Sequence, residues 1–297
     1  MSLFTAIPQP ATAEDAYAGR EFEFTPRDFR RITAVLQKET GIALGDLKAS
    51  MVYSRLAKRL RALRMNGFKQ YCALIETARD AGERERMIEA LTTNVTRFFR
   101  ERHHFEHLRT KVLPELAEGV RRGRPLRIWS AGCSSGEEPY SIALTVLSAM
   151  PDAAKFDVKV LASDINRKVL DEGRRGIYRE AAIAPLTRQQ CANWFETSEN
   201  GAGEKFWRAG EQLRRLVAFR ELNLIADWPL KQAYQAIFCR NVTIYLEENA
   251  RTEIWNRFAD RLAPRGCLYL GHSERVIDAG GRLRVEGYTT YRLTEGR

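Results

Sequence analysis

The chain has 297 residues, of which 44% are hydrophobic, and its 48 Lys and Arg against 38 Asp and Glu give a formal net charge of +10. This composition excludes an intrinsically disordered chain and a small disulfide-stapled scaffold, because it supplies ample apolar material for a packed core. The length suits about two domains. The positive charge favours polyanions, anionic membrane surfaces or acidic proteins as partners, without distinguishing among them.

Five cysteines are spread along the chain without a CxxC pair, a pattern typical of reduced thiols in the cytosol. Residues 1–13 lack the basic segment and apolar core of an export signal. No apolar run approaches the roughly 18 residues that a membrane span needs. We therefore expect a cytoplasmic protein without direct membrane insertion.

The N-terminal part of the chain is expected to be helical. Residues 1–20, rich in Ala, Pro and Thr, predict a flexible arm, and residues 21–92 predict a helical domain. Its first helix begins at Thr25, where a capping hydroxyl is followed by a proline and by Asp28 three residues on. Gly41 is the expected end of this helix.

A second helix is predicted from Asp46 to about Met65. Apolar residues spaced mostly three to four apart form its expected inner face: Leu47, Met51, Leu56, Leu60 and Leu63. Residues 27–64 carry ten Lys or Arg against three acids, which is +7 of the net charge. Such a basic face is usually just solvated, but this concentration of charge favours a docking surface for an acidic partner.

Residues 93–124 predict a linker with a connecting helix, and residues 125–297 predict an α/β domain in which short apolar runs alternate with helical stretches. The predicted strands are Leu126–Ser130, Val158–Ser163, Leu216–Glu221, Ala236–Cys239 and Cys267–Gly271, closed by a hairpin of Leu283–Val285 and Thr289–Leu293. The pattern breaks at residues 183–215, which predict an inserted subdomain or an exposed loop.

A turn of small residues leads from the first predicted strand into a helix. Gly132 and Gly136 would let a nucleotide-like ligand approach the backbone at the carboxyl ends of the strands. Glu137 and the acid after it would repel a phosphate at the helix start, so a cofactor with positive charge fits better than a dinucleotide. Asp164 ends the next strand, where an acid commonly accepts hydrogen bonds from ribose hydroxyls, although such an acid is more often a helix cap.

Four further stretches accompany this turn in a fixed order: residues 91–100 read LTTNVTRFFR, residues 222–224 LNL, residues 237–245 IFCRNVTIY and residues 271–274 GHSE. From about Phe24 to Leu293 the chain closely resembles the chemotaxis receptor methyltransferases, the CheR family. The resemblance implies a Rossmann-like class I S-adenosylmethionine-dependent methyltransferase sheet with an N-terminal all-helical domain and a small inserted β subdomain. It also implies a protein-glutamate O-methyltransferase that modifies membrane chemoreceptors during adaptation and releases S-adenosylhomocysteine.

The resemblance implies a set of cofactor-binding residues, carried over position by position: Asn94, Thr96, Arg100, Glu137, Asp164, Asn223, Leu224, Arg240 and Asn241. Arg100 and Tyr245 resemble the residues that flank the reacting methyl group. A guanidinium can grip a carboxylate with two parallel hydrogen bonds, whereas a domain-joining ion pair is its plainer role. Tyr245 would orient the substrate or line the sulfonium pocket, or simply pack as a half-buried aromatic residue. Because a glutamate side chain is already ionised at neutral pH, its methylation needs no general base.

Chemoreceptor methylation regions are acidic helical bundles in this family, so four residues of the basic helix are expected to bind the substrate: Arg55, Lys58, Arg59 and Arg61. In some members the inserted subdomain grips a tethering peptide at the receptor C-terminus, and for residues 183–215 this stays open. We expect a monomer. We also expect no metal, because His103 and His107 share a helix face but have no paired acid or cysteine at ligand spacing.

Two other functions compete with this interpretation. A nucleic-acid methyltransferase would suit the basic charge, but residues 240–243 read RNVT where amino-directed DNA enzymes carry an Asp/Asn-Pro-Pro-aromatic string. Aromatic residues interleaved with the basic helix are also nearly absent beyond Tyr53, so we expect no nucleic-acid partner. A signalling module that binds the cofactor without turnover is disfavoured by intact Arg100, Tyr245 and Asp164.

Overall fold

A computed structural model describes residues 20–77, 81–199, 201, 203–276 and 280–294. The arm predicted at residues 1–20 therefore lies, except for its last residue, outside the described residues. The chain divides into two compact units, Met1–Thr92 and Thr93–Arg297. Among the described residues, the helices are all too short or too polar to cross a lipid bilayer.

The first unit is helical, as predicted. Its elements are α1 (Pro26–Thr40), a 3-10 turn (Asp46–Lys48), α2 (Ala49–Leu63), α3 (Phe68–Glu76) and α4 (Ala81–Leu91). The Thr25 hydroxyl accepts the N–H of Asp28, and the Asp28 carboxylate accepts the N–H of Thr25, which is the predicted capping box. Gly41, with φ of 74°, ends α1 in the left-handed conformation that suits glycine.

The inner face of α2 differs from the prediction at its start. The buried residues of the helix are Ala49, Val52, Leu56, Ala57 and Leu60. Leu47 is 87% exposed, so its assignment to the inner face was wrong. It lies in the 3-10 turn that precedes α2, and its side chain therefore does not follow the 3.6-residue period of the helix.

The second unit contains the remaining elements. Its helices are α5 (Arg102–His107), α6 (Leu113–Arg121), α7 (Glu137–Ala149), α8 (Arg167–Arg175), α9 (Glu180–Ile183), α10 (Arg188–Trp194), α11 (Glu211–Leu216) and α12 (Glu248–Arg261). A π-helical turn (Leu108–Val112) joins α5 to α6, and two 3-10 turns lie at Ala153–Lys155 and Thr243–Tyr245. Helices α5 and α6 fall in the segment 93–124 that the sequence predicts as a connecting region, and this segment belongs to the second unit.

A seven-stranded sheet forms the centre of the second unit. Its strands are β1 (Leu126–Ala131), β2 (Val158–Asp164), β6 (Val217–Glu221), β7 (Tyr234–Cys239), β8 (Leu262–Leu270), β9 (Leu283–Gly287) and β10 (Thr290–Leu293). The order is β6-β2-β1-β7-β8-β10-β9. The first five strands are parallel, and β10 and β9 add as an antiparallel hairpin. The predicted parallel sheet with a closing hairpin is thus confirmed.

A second, antiparallel sheet confirms the small inserted β subdomain. It consists of β3 (Ile177–Arg179), β4 (Phe195–Glu199) and β5 (Lys205–Ala209) in the order β3-β5-β4. Strand β3 lies before the predicted boundary at residue 183. The sequence does not indicate this strand, because three residues are too few to show an alternating pattern. Residues 200 and 202 of the predicted glycine-containing stretch lie outside the described residues.

Candidate functional site

The carboxyl ends of the parallel strands gather the predicted site. Ala131 at the end of β1 pairs with Ser163 of β2, and Ser130 pairs with Phe238 of β7. Parallel strands in register end at the same edge of the sheet. The segments that follow β1, β2 and β7 are therefore neighbours, as the sequence predicts.

The turn after β1 needs its two glycines for packing. Gly132 has φ of 82°, and a Cβ at this position would lie 2.3 Å from Cγ2 of Val242. The N–H groups of Gly132 and Cys133 both donate to the carbonyl of Ser163, at 2.8 and 2.9 Å. Gly136, with φ of 98°, precedes the first residue of α7. The close approach of Val242 thus explains Gly132, and the left-handed backbone explains Gly136, without a ligand.

The carboxyl groups of Glu137 and Asp164 lie at this edge of the sheet. Glu137, the first residue of α7, is 8% exposed, and its carboxylate accepts the Ser135 hydroxyl at 2.7 Å. Burial raises the pKa of Glu137. Asp164 accepts the backbone N–H of Ser134 at 2.9 Å and that of Asn166 at 3.0 Å. Burial raises the pKa of Asp164, although these backbone hydrogen bonds oppose the shift. A cationic or hydroxyl-bearing ligand would relieve the cost of burying these carboxylates.

The structure tests the alternative that Asp164 caps the helix that follows β2. The side chain that caps α8 belongs to Asn166, which accepts the backbone N–H groups of Lys168 and Val169. Asp164 is therefore not the N-cap of α8. Its backbone carbonyl accepts the N–H of Leu222, at 3.0 Å, which places the predicted Asn223 and Leu224 directly beside the end of β2.

Backbone contacts hold the loop after β6. The Asn223 side chain accepts the N–H of Ile225 at 3.1 Å. The carbonyl of Leu224 accepts the indole N–H of Trp228 and a guanidinium N–H of Arg257, each at 3.1 Å. The loop that would contact the cofactor is therefore fixed by the protein itself.

The segment before α5 lies on the glycine turn. The carbonyl of Asn94 accepts the Ser134 hydroxyl at 2.9 Å, and Thr96 is half-buried in the same segment. Arg100 is also half-buried, and its Nη1 donates to the carbonyl of Val95 at 3.1 Å. Asn94 thus contacts the turn after β1, Arg100 is bonded within the same segment, and the cofactor contacts of Asn94, Thr96 and Arg100 stay predictions.

The side chain of Arg240 is engaged with other residues of the second unit. Its side chain is 1% exposed and is directed at two glutamates, with Nε 3.7 Å from Glu101 and Nη1 3.5 Å from Glu138. Its Nη2 donates to the backbone carbonyl of Arg100. Burial lowers the pKa of Arg240 and raises that of Glu138. The cofactor contact of Arg240 stays a prediction, and the side chain that was expected to supply it is engaged with the protein.

The loop after β7 is organised by a residue to which the sequence analysis assigned no role. The buried carboxylate of Glu274 accepts the backbone N–H groups of Asn241, Thr243 and Gly271 at 2.6, 2.8 and 2.7 Å. Asn241 has φ of 60°, and its buried Oδ1 has no hydrogen-bond partner among the described residues. Tyr245 is half-buried at the end of the 3-10 turn that follows. The acid of the GHSE stretch, which follows β8, is the sequence feature that could have indicated this role.

The four basic residues predicted to bind substrate have different surroundings. Arg55 donates to three backbone carbonyls at the end of α4, and Arg59 forms two hydrogen bonds, at 2.9 and 2.6 Å, with the buried carboxylate of Glu83. Arg61 pairs with a surface glutamate, and Lys58 is exposed. Arg55 and Arg59 therefore have structural roles inside the helical unit, and substrate binding by the set stays a prediction.

The histidines do not group as the sequence suggests. His107 bonds to the Tyr269 hydroxyl at 2.9 Å, whereas ligand atoms of His103, His104 and Glu101 lie within 4.8 Å of one another. Glu101 thus lies at ligand distance, so the prediction that these histidines have no acid nearby was wrong. Because the guanidinium of Arg240 faces the same carboxylate, a cation there would meet like charge. The expectation of no metal stays a prediction.

The arrangement fits S-adenosylmethionine. The buried carboxylate of Glu137 suits an ammonium group, Asp164 suits a ribose diol, and the unpartnered amide oxygen of Asn241 can accept one further donor. Glu137 and Asn241 follow β1 and β7, Asp164 ends β2, and these three strands end at one edge of the sheet.

Comparison with known proteins identifies the family. Residues 27–92 match the CheR methyltransferase all-alpha domain, and residues 94–292 match the CheR methyltransferase SAM-binding domain. A probable chemotaxis protein methyltransferase of Rhizobium etli is 48% identical over 88% of this chain and 97% of its own length. Chemotaxis protein methyltransferase 2 of Pseudomonas aeruginosa is 42% identical over 95% and 98% of the two chains, and the Escherichia coli chemotaxis protein methyltransferase is 41% identical over 90% and 91%. The chain therefore belongs to the CheR methyltransferase family and is an S-adenosylmethionine-dependent methyltransferase.

Proposed function

We propose that this enzyme is a protein-glutamate O-methyltransferase that esterifies glutamate side chains of membrane chemoreceptors in chemotactic adaptation. The relatives named as chemotaxis methyltransferases support the pathway. The observation that carries the proposed chemistry is the position of Arg100. The Arg100 guanidinium lies in the segment that contacts the turn after β1, where it can bind an anionic acceptor.

S-Adenosylmethionine supplies an electrophilic methyl group on a positively charged sulfur. Glu137 would bind its ammonium group, and Asp164 would bind its ribose hydroxyls. The acceptor glutamate needs no deprotonation, because its carboxyl group is ionised at neutral pH. Catalysis is then mainly a matter of holding the two reactants in line, which can supply about 7 kcal/mol or more.

Arg100 suits the task of presenting the acceptor. A guanidinium has five N–H donors in a plane, and the hydrogen bond to the carbonyl of Val95 uses one of them. Two parallel donors can bind a carboxylate and leave one of its oxygen lone pairs directed at the methyl group. Tyr245, at the end of the 3-10 turn after β7, would orient the acceptor from the other loop.

Docking would draw on the positive charge of the helical unit. Lys58 is exposed on α2, and Arg61 is exposed beside it with a single surface ion pair. Such charges act mainly on the rate of encounter with an acidic partner and on its orientation. We therefore propose that Lys58 and Arg61 contact the acidic methylation helices, with Arg55 and Arg59 contributing positive charge from fixed positions.

Methyl transfer to receptor membranes tests the proposal. The enzyme is incubated with tritium-labelled S-adenosylmethionine and membranes that contain a chemoreceptor, or the same receptor with its acceptor glutamates replaced by alanine. We expect label on the intact receptor that is released as methanol by base, because carboxyl esters hydrolyse readily, and little label on the alanine receptor. Equal labelling of both receptors, or labelling of added DNA instead, would contradict the proposal.

A further inference from the structure

Arg100 stands in a turn whose two neighbouring residues are both left-handed. Phe99 has φ of 51° and Glu101 has φ of 55°. Residues with a β-carbon rarely adopt this conformation, and it persists only where surrounding contacts hold it in place. Two such residues on either side of one arginine indicate that the orientation of Arg100 is imposed by the rest of the fold.

Each residue of this turn is held by a different part of the second unit. The N–H of Phe99 donates to the Ser141 hydroxyl of α7 at 2.9 Å. The carbonyl of Arg100 accepts a hydrogen bond from Arg240, which follows β7. The carboxylate of Glu101 accepts the backbone N–H of His272 at 3.3 Å. The turn is therefore fixed from three sides, and Arg240 holds its central residue.

The contacts of Arg240 are unequal in quality. Its Nε and Nη1 face Glu101 and Glu138 at 3.7 and 3.5 Å without hydrogen bonds among the described residues. The hydrogen bond from this guanidinium goes to the carbonyl of Arg100. Burying a charge with imperfect pairing contributes little to stability. The burial of Arg240 is better explained by its effect on the backbone conformation of Arg100.

We infer that Arg240 is a positioning residue, whose buried guanidinium holds the backbone of Arg100 so that the Arg100 side chain faces the acceptor. The inference rests on the proposed role of Arg100 in binding the acceptor carboxylate. It differs from the direct cofactor contact that the family resemblance implies for Arg240. A lysine at position 240 would keep the charge, but its single ammonium cannot reproduce the planar donors that meet the carbonyl and both carboxylates.

A double-mutant cycle tests this role. The variants are Arg240→Lys, Arg100→Lys and the double variant, measured for kcat of methyl transfer, affinity for S-adenosylhomocysteine by calorimetry, and thermal stability. Arg292→Lys is the matched control. Arg292 is also a buried arginine, bonded to a carboxylate (Glu286, 2.6 Å) and to the carbonyl of a left-handed residue (Arg265, 3.1 Å).

We expect Arg240→Lys to lower kcat by about 10- to 100-fold while the product affinity stays within about threefold, because the lost interaction acts on the acceptor. If Arg240 acts only through Arg100, the double variant should be within about twofold of Arg100→Lys alone. Arg292→Lys should lower thermal stability and leave kcat within about twofold. If Arg240→Lys does not fold, Arg240→Met combined with Glu138→Gln removes the guanidinium and one of the two carboxylates that face it, and takes its place in the cycle.

Three results separate the explanations. A product affinity weakened by more than about tenfold in Arg240→Lys, but not in Arg100→Lys, would make Arg240 a cofactor ligand in its own right and overturn the inference. If the kcat losses of the two single variants multiply in the double variant, Arg240 acts independently of Arg100, and the inference is overturned as well. A wild-type enzyme that transfers no methyl to receptors would instead refute the proposed function on which the inference rests.

Discussion

The carboxylate of Glu274 accepts the backbone N–H of Asn241 at 2.6 Å, across a separation of 33 residues. The same carboxylate accepts the N–H groups of Val242 and Thr243 and the Thr243 hydroxyl, as well as the N–H of Gly271. One buried side chain thus satisfies four backbone donors in two loops. The position of Asn241 at the cofactor edge depends on this carboxylate.

Replacement of Glu274 by alanine should destabilise the protein and weaken cofactor binding together. The change leaves four backbone N–H groups without this acceptor, two of them buried (Thr243 and Gly271), which we expect to lower the free energy of unfolding by about 2–4 kcal/mol. Urea unfolding measures this loss, and calorimetry with S-adenosylhomocysteine measures the affinity. Glu211→Ala, which removes an exposed acid of α11, should change stability by less than about 0.5 kcal/mol. Similar stability of the two variants would contradict the role of Glu274.

Replacement of Arg100 by alanine should remove activity without unfolding the protein. We expect kcat to fall by about 100-fold or more, because the acceptor carboxylate loses its preorganised donors. Arg97→Ala is the control, since Arg97 lies three residues earlier in the same segment and is exposed. Single-turnover transfer of labelled methyl groups to receptor membranes gives the rates. Comparable rates for Arg100→Ala and Arg97→Ala would show that Arg100 does not bind the acceptor.

Cofactor affinity should decrease at acidic pH because of Glu137. Burial raises the pKa of this carboxyl group above its ordinary value of 4.5, so the carboxylate that would pair with the cofactor ammonium is lost as the pH falls through the raised value. The midpoint measured by calorimetry should therefore lie above 4.5 in the free protein. Glu137→Gln should bind S-adenosylmethionine more weakly at neutral pH, with a flatter pH dependence. An unchanged pH profile in this variant would exclude Glu137 as the ammonium partner.

Stability should also depend on pH through His104. Burial lowers the pKa of this imidazole to about 2 from an ordinary value of 6.5. The unfolded chain therefore binds a proton that the folded protein does not, and the free energy of unfolding should fall by up to about 1.4 kcal/mol per pH unit as the pH drops below 6.5. This contribution is fully present above pH 6.5.

The variants His104→Gln and His103→Gln separate this effect from general acid lability. His104→Gln should reduce the loss of stability between pH 7 and pH 5 by about 2 kcal/mol, whereas His103→Gln, which changes the exposed neighbour, should keep the wild-type slope. Urea unfolding at the two pH values provides the comparison. If the free energy of unfolding of His104→Gln depends on pH as steeply as that of the wild type, the buried imidazole is not the cause of the dependence.

Charge reversal at Lys58 should weaken receptor methylation at low salt. Lys58→Glu places a negative charge on the proposed docking face and leaves the internal pairs of Arg55 and Arg59 intact. We expect the rate at limiting receptor to fall several-fold, about three- to tenfold, and the difference to shrink at high salt. Lys38→Glu makes the same charge change on α1 of the same unit, where Lys38 lines a basic groove of about 460 Å³. Equal losses in both variants would indicate general steering instead of a docking face on α2.

Much of the fold could be predicted from local sequence patterns. The capping box at Thr25 and the glycine at the end of α1 depend on neighbouring residues only, and both are confirmed. The core strands β1, β2 and β7 each have a polar second residue, followed by a short run of apolar and small residues (128–131, 160–163 and 236–239) of the kind that buried parallel strands contain. Short or irregular elements gave no comparable signal. Strand β3 has three residues, and the 3-10 turn before α2 reversed the exposure predicted for Leu47.

The site was predictable in position but not in the direction of its side chains. Strand register fixed the edge at which Asp164 and Gly132 meet, and spacing in the sequence indicates this edge. The direction of Arg240 depends on the carbonyl of Arg100 and on two half-buried glutamates from α7 and the turn before α5. Likewise, the hydrogen bonds of Glu274 to four backbone N–H groups could not be predicted, because most of them join two loops that are far apart in the sequence. Such long-range pairings leave no periodicity in a single sequence.

A crystal structure of the complex with S-adenosylhomocysteine tests the central claim most directly. We predict that the product lies at the carboxyl ends of β1 and β2, with its amino group at Glu137, its ribose hydroxyls hydrogen-bonded to Asp164, and the Arg100 guanidinium facing the sulfur. A product bound elsewhere on the protein would contradict the account. So would a product at this edge with Arg100 turned into solvent, because no group would then present the acceptor carboxylate.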